Sequence, residues 1–162
     1  MTGYAPRAHR PPMSSSPNDI ISFLSSLPTS AQWALQSLEV KGSFVALLDS
    51  LRLGSAIAVS DGSYGNSLGT AAWILTNQYH SFSGKCVIPG SKAYQSSYRS
   101  ELGGLYGIVL VVWALETLYP EDSFTLDIYC DGAEAVKKAS LPLQQAWGAP
   151  SQFDMLNAIW AL

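Results

Sequence analysis

Short apolar runs, each bounded by glycine, proline or polar residues, mark the predicted strands of this chain. Ala56 to Ser60 is apolar and ends at Asp61-Gly62, a pattern that predicts a buried strand that meets a turn. Thr70 to Thr76 and Tyr79 to Val87 predict two further strands, joined by a tight turn at Asn77-Gln78. These three strands are therefore expected to form an antiparallel meander.

A long helix is predicted next. Ser96 or Ser97 is its expected N-cap, and the helical pattern ends near Leu118. Apolar residues recur there at spacings near three and four on several faces, which is typical of a largely buried helix. Phe124 to Cys130 then alternates between apolar and polar residues, so a fourth strand is predicted that ends at Asp131-Gly132.

Beyond this strand the pattern predicts a short helix over Ala133 to Ala139, a loop over Leu141 to Pro150 and a helix over Gln152 to Leu162. A helix between two strands forms a crossover unit, so the first and fourth strands are expected to lie side by side and parallel. The predicted fold class is α/β: a mixed sheet of three antiparallel strands and then one parallel strand, flanked by helices.

The main domain is predicted to span residues 54–162, after a tail and helical lead-in over residues 1–53. Residues 1–17 are rich in proline and serine, a composition typical of a mobile tail. Weak amphipathic patterns predict short helices from Asp19 to Leu27 and from Ser30 to Val40. The plain interpretation is a lead-in that packs on the main domain, and a binding role for these helices is the alternative.

Composition narrows the function classes. Hydrophobic residues make up 48% of the chain, which is enough for a sizeable core. The net charge of −3 argues against a free-standing electrostatic binder of nucleic acid, because such modules carry a basic face. Lys137 and Lys138 form only a small basic patch.

Neither membrane insertion nor secretion is expected. The longest apolar run, Leu105 to Leu115, is broken by Gly107 and is shorter than the roughly 20 residues that span a bilayer. Prolines interrupt the N-terminal segment where a signal peptide would have its apolar core, so an intracellular location is predicted, nuclear or cytoplasmic. Cys86 and Cys130 are expected to be free thiols, with a bridge as the less favoured alternative.

Three carboxylates are the candidate ligands of a metal ion. Asp61 and Asp131 end the two strands that are predicted to be neighbours, and Glu101 lies near the start of the crossover helix. Active sites of open α/β sheets lie at such strand ends. Carboxylates that gather within a few ångströms repel one another unless a cation compensates, and hard oxygen ligands suit Mg²⁺ or Mn²⁺. Each acid alone has a structural interpretation, as a turn residue or a helix-start residue.

In their order along the chain, the motifs resemble the type 1 ribonuclease H family. The resemblance covers roughly residues 56–162, with 40 residues from Asp61 to Glu101 and 30 from Glu101 to Asp131. The motifs that carry it are Ser60-Asp61-Gly62-Ser63, the glycine-rich hairpin loop Gly65 to Gly69, Arg99-Ser100-Glu101-Leu102, Tyr129-Cys130-Asp131-Gly132 and Phe153-Asp154-Met155-Leu156.

The resemblance implies a metal-dependent endonuclease that cleaves the RNA strand of RNA–DNA hybrids. It carries the catalytic and metal-binding roles onto Asp61, Glu101 and Asp131, with two Mg²⁺ ions as cofactor and Mn²⁺ as an alternative. The resemblance also implies that Gly62, Ser63 and Arg99 contact the nucleic-acid backbone. On the structural interpretation, Ser63 instead satisfies a turn and Arg99 pairs with a nearby acid.

The chain also departs from the family. A fourth carboxylate and usually a mobile histidine lie on or before a final strand and helix, and this chain stops at Leu162, before both elements. Asp154 matches a structural helix-start residue and is not expected to replace the missing ligand. Two function classes stay open: a hybrid endonuclease, as one domain of a retroelement reverse transcriptase polyprotein, and an inactive ribonuclease H-like module that binds nucleic acid or protein. The oligomeric state is left open.

Overall fold

The computed structural model describes residues 17–140 and 152–162. Its helices and strands, in chain order, are α1 (Pro17–Ser25), α2 (Thr29–Gln32), β1 (Glu39–Lys41), α3 (Phe44–Arg52), β2 (Ile57–Gly65), β3 (Leu68–Thr76), β4 (Ser81–Val87), α4 (Ser97–Leu118), β5 (Asp127–Cys130), α5 (Ala133–Ala139) and α6 (Phe153–Trp160). The predicted loop at 141–150 and all of the predicted proline-rich tail except Pro17 lie outside the described residues.

The strands form a mixed sheet in the order β1-β4-β3-β2-β5. β2, β3 and β4 are an antiparallel meander, and β5 pairs with β2 in parallel after the crossover through α4. The α/β class, the meander and the parallel strand are therefore confirmed. β1 was not predicted, and it pairs antiparallel with β4 at the opposite edge from β5.

The turn predicted at Asp61-Gly62 is wrong. β2 continues to Gly65, and Asp61 pairs with Ala72 inside the β2–β3 ladder. The chain reverses instead at Asn66 and Ser67, whose φ angles of 51° and 61° give the two-residue hairpin turn that matches the twist of the strands. The β2–β3 pairing continues past Asp61-Gly62 to Gly65 and Leu68, and this pairing overrides the local preference of Asp-Gly for a turn.

The main core lies between one face of the sheet and the helices α1, α3 and α4. Alternation along the strands places Ala58, Trp73 and Phe82 in this core, while the intervening strand positions stay more exposed. Leu24 and Leu48, from α1 and α3, pack in the same cluster. The described part of the lead-in thus packs on the main domain, as its plain interpretation expected.

The second lead-in helix was predicted too long. The helical segment ends at Leu35 after α2 and a 3-10 turn, and residues 39–41 form β1 instead of helix. Val40 lies opposite Phe82 across the β1–β4 ladder. Residues 39–41 make their backbone hydrogen bonds with the open edge of β4. This tertiary pairing overrides the weak local preference for helix.

Glycines on α4 let this helix approach the sheet closely. A Cβ on Gly107 would lie 2.2 Å from Cδ1 of Trp73, and one on Gly104 would lie 2.8 Å from Cβ of Ser60. By length and composition α4 is apolar enough to cross a membrane. The core helix of a soluble protein can be equally long and apolar, and 67% of the most apolar 18-residue stretch of α4 is buried inside the protein. The expectation of no membrane partner stays a prediction.

Candidate metal centre

The parallel pairing of β2 with β5 brings two of the acidic motifs together. Ser60 lies opposite Cys130 in the register, so the next residues lie side by side: Asp61 is still within β2, and Asp131 follows the end of β5. Both line an open pocket of about 790 Å³, with Lys137 of α5 on its wall. The pocket lies at the carboxyl end of the parallel pair, where the sequence predicted the site.

Glu101 reaches the same place from the first turns of α4. Ser96 caps this helix by accepting a hydrogen bond of 3.1 Å from the N–H of Arg99, so of the two predicted alternatives the cap is Ser96 and not Ser97. Glu101 is only 8% exposed. A Cβ on Gly62 would lie 2.4 Å from the N atom of Glu101, and one on Gly132 would lie 2.7 Å from its Cγ. Both Asp-Gly motifs therefore need glycine because Glu101 packs between them.

The electrostatics of Glu101 reflect this crowding. Burial raises the pKa of its carboxyl above the ordinary value, and the charges of Asp131 and Asp61 raise it further. The Cys130 thiol donates a hydrogen bond of 3.2 Å to Oε2, and the Gly62 N–H also bonds the carboxylate, and both contacts favour the charged form. A carboxylate that is buried beside two like charges is stabilised by any cation that binds there.

The tightest cluster is not the predicted one. Glu101, Cys130 and Asp131 each offer one ligand atom, and these three atoms lie within 4.8 Å of one another. Asp61 is not part of this group, although it lines the same pocket and its charge acts on Glu101. The structure thus brings Glu101 and Asp131 together, leaves Asp61 beside them and adds Cys130.

Sequence reasoning missed Cys130 as a site residue because it was interpreted only as a free thiol. Both cysteines are indeed free, as predicted. The signal that could have found Cys130 is its place: it directly precedes Asp131 on a strand whose alternation turns it toward the crossover helix. Cys86, in contrast, lies on β4, where its buried thiol contacts the carbonyl of Ala71 on β3, and among the described residues it belongs to no cluster of potential metal ligands.

The donor set fits a divalent cation. Two carboxylates with room for solvent and a substrate phosphate are the usual protein contribution to a Mg²⁺ or Mn²⁺ site. A thiol is a poor ligand for Mg²⁺ and a good one for softer ions. Among residues 17–140 and 152–162, this is the one group of three such side chains close enough to share an ion.

Arg99 is held inside the protein. It is 4% exposed, and its guanidinium donates two hydrogen bonds of 2.9 and 2.6 Å to the carboxylate of Asp154. Its other contacts are the carbonyl of Pro89 and the side chain of Gln152. These bonds lower the pKa of Asp154. The geometry favours the ion pair over the predicted contact with a nucleic-acid backbone, and Asp154 has the structural place expected for it.

Gly62 and Ser63, the other two predicted contacts with a nucleic-acid backbone, differ in which of their groups could contact a substrate. The Gly62 amide bonds Glu101, so it is already engaged within the protein. The carbonyl of Ser63 accepts a hydrogen bond of 3.0 Å from Oγ of Ser100. The Ser63 side chain is exposed and lines a second pocket with Asp61 and Lys85, so its predicted contact with substrate has an open path.

Comparison with known proteins adds no assignment: no family model, curated protein or solved structure matches this chain.

Proposed function

We propose that this chain is a ribonuclease H-like domain that cleaves the RNA strand of RNA–DNA hybrids with a divalent metal ion. The observation that carries the proposal is the convergence of Glu101 and Asp131, with Asp61 beside them, at the carboxyl end of two adjacent parallel strands. The sheet order and the crossover through α4 are compatible with that fold.

The residues of the site have distinct tasks in this proposal. Glu101 and Asp131 would hold the ion, which supplies Lewis-acid stabilisation of the charge that develops on the phosphodiester oxygens. The Gly62 amide and the Cys130 thiol orient the Glu101 carboxylate through their hydrogen bonds. Lys137 places a positive charge on the pocket wall, where a phosphate of the bound strand can lie.

Selection of RNA would come from contacts with 2′-hydroxyl groups, which DNA lacks. Asp61 and Ser63, two residues apart on β2, point to the same face of the sheet, where both are exposed and line the second pocket. Recognition by the shape of the hybrid suits a chain with a net negative charge, because few phosphate contacts are available to it.

Cleavage of a labelled RNA–DNA hybrid with and without Mg²⁺ tests the proposal. Asp131→Asn should lower the rate by more than about 100-fold, since loss of an outer partner of a metal ligand alone costs about 10–100-fold. Asp127→Asn, an exposed acid at the other end of β5, is the matched control and should leave the rate unchanged. Cleavage that survives Asp131→Asn would refute the proposed site.

An inactive nucleic-acid-binding module is the second candidate. Two observations favour it: Asp61 lies outside the tight cluster, and Arg99 is committed to Asp154. Such a module would bind a fluorescent hybrid, with an affinity that falls as salt rises, and would release no product with Mg²⁺ or Mn²⁺. Binding without cleavage, measured on the same preparation, separates the two candidates.

A further inference from the structure

Cys130 contributes a sulfur atom to the carboxylate cluster. Its Sγ lies 3.2 Å from Oε2 of Glu101. This sulfur, a carboxylate oxygen of Glu101 and one of Asp131 lie within 4.8 Å of one another. Ligand atoms around a tetrahedral ion with bonds of about 2.0–2.3 Å are about 3.5 Å apart, so small side-chain adjustments bring these three atoms onto one ion. The pocket in front of Cys130 and Asp131 leaves the remaining coordination to water.

A second, independent observation concerns Ser60. Its side chain is 3% exposed, and its Oγ makes no hydrogen bond with the described residues. Ser60 lies opposite Cys130 in the β2–β5 register and is turned toward α4, the side from which Glu101 enters. A buried hydroxyl without a partner is costly, and here it lies beside the sulfur.

Cys130 lies between two polar groups. Its thiol donates a hydrogen bond to Glu101, and Ser60 lies opposite it across the β2–β5 register. A metal ion would take the place of the thiol proton beside Glu101, and the resulting thiolate would give the Ser60 hydroxyl the acceptor that it lacks.

We propose that Glu101, Cys130 and Asp131 form a mixed thiolate–carboxylate site that binds a borderline divalent cation such as Zn²⁺ in preference to Mg²⁺. Binding breaks the S–H bond of Cys130 and forms a sulfur–metal bond, and the released proton leaves to solvent through the open pocket. Thiolate ligands select Zn²⁺ over the hard ions Mg²⁺ and Ca²⁺. The site shares Glu101 and Asp131 with the function proposed above and adds Cys130, but binding of Zn²⁺ does not itself require nuclease activity.

Titration of the metal-free chain with Co²⁺, a spectroscopic substitute for Zn²⁺, tests the site directly. We expect a sulfur-to-cobalt charge-transfer band in the near ultraviolet that saturates at one ion per chain and disappears when Zn²⁺ is added. A tenfold molar excess of Mg²⁺ should leave the band in place. Absence of the band, or its loss to this Mg²⁺ competition, would overturn the proposal.

Variants assign the band to its ligand. Cys130→Ser should abolish it, whereas Cys86→Ser, which removes the buried thiol of β4, should retain it. Asp131→Asn should retain the band with at least about tenfold weaker Co²⁺ affinity, because the sulfur remains and one oxygen ligand is lost. A band that persists in Cys130→Ser and is lost in Cys86→Ser would place the metal elsewhere.

Asp61→Asn separates this inference from the nuclease proposal. Asp61 lies outside the three-atom group, so its replacement should retain the Co²⁺ band while it reduces hybrid cleavage. The Co²⁺ affinity should fall less than in Asp131→Asn, because a nearby negative charge is lost but no ligand is. A chain that shows the cysteine-dependent band and no cleavage supports the site and contradicts the nuclease. Cleavage with Mg²⁺ and no band does the reverse.

Discussion

Glu101 is the residue on which the site is built. Its carboxylate is nearly buried, faces two further acids and is held by a thiol and a backbone amide. The folded state therefore retains a group that opposes folding when charged. A buried charge of this kind lowers the stability of the fold, and its cost can be measured as the change in the free energy of unfolding when the group is made neutral.

Glu101→Gln should stabilise the metal-free protein at neutral pH by about 1 kcal/mol, since the amide removes the buried charge and can still accept both hydrogen bonds. The pKa of Glu101 is raised in the folded state, so the folded state binds more protons, and wild-type stability falls as pH rises from the ordinary value of 4.5 through the raised one.

The gain from Glu101→Gln should therefore vanish below about pH 4.5, as urea denaturation at several pH values would show. Glu116→Gln, an exposed position on the same helix, is the control and should change stability little. A metal-free Glu101→Gln protein that is less stable than wild type at neutral pH would contradict this account of the buried charge.

Gly132→Ala tests the packing around Glu101 at the same scale. A Cβ there would lie 2.7 Å from Cγ of Glu101, so the side chain or β5 must move, at a cost of about 1–3 kcal/mol. Gly65→Ala is the matched control, because a Cβ at Gly65 meets nothing within 4 Å. Equal urea midpoints for the two variants would show that Gly132 is not required for this packing.

Among the elements, α6 packs on α4 through a hydrophobic cluster and is joined to it by one ion pair. Arg99 is 4% exposed, and its guanidinium spans the gap to the first turn of α6, where Asp154 accepts both hydrogen bonds. Without Asp154, the guanidinium would be a buried charge with neutral partners only. The pair therefore matters more to the position of α6 than a surface salt bridge would.

Asp154→Ala should destabilise the protein by about 2 kcal/mol, less than the 3–5 kcal/mol of a fully buried pair, because the carboxylate side is 65% exposed and screened by water. The pKa of Asp154 is lowered, so the pair stabilises the fold above the ordinary value of 3.8, and this contribution is lost as pH falls through the lowered value.

Urea denaturation of wild type and Asp154→Ala at neutral and acidic pH measures this effect. Asn157→Ala, an exposed position on α6, serves as the control. A wild-type advantage that stays constant down to pH 2 would show that the carboxylate charge is not its source.

For the whole molecule, the site joins parts that are far apart in the chain. Glu101 lies on the crossover helix, whereas Cys130 ends β5, one of the two edge strands, and Asp131 follows it. A ligand that bridges them binds the folded state alone. Its binding energy therefore adds to the stability of the entire sheet-and-helix unit.

Zn²⁺ at 100 times its dissociation constant should accordingly raise the free energy of unfolding by about 2.7 kcal/mol. Thermal unfolding followed by circular dichroism, with a chelator to reverse the shift, measures this effect. Cys130→Ser should remove most of the shift, and Cys86→Ser should retain it. A shift of equal size in Cys130→Ser would contradict coordination by the sulfur.

Local sequence patterns predict much of this architecture. Alternation and apolar spacing predicted β2 to β5 and α4, and the crossover rule placed β2 beside β5, so the proximity of Asp131 to the helix carboxylate could be anticipated. These features depend on short-range periodicity and on one topological rule, both of which a single sequence carries.

Other features depend on partners that are distant in the chain. β1 forms because β4 offers an open edge, β2 runs past Asp61 because the hairpin closes at Asn66, and Arg99 is buried because α6 brings Asp154 to it. Cys130 joins the cluster for the same reason: the strand register turns its sulfur toward Glu101. Periodicity assigns a residue to an element and a face, and packing between elements then selects the atoms that meet.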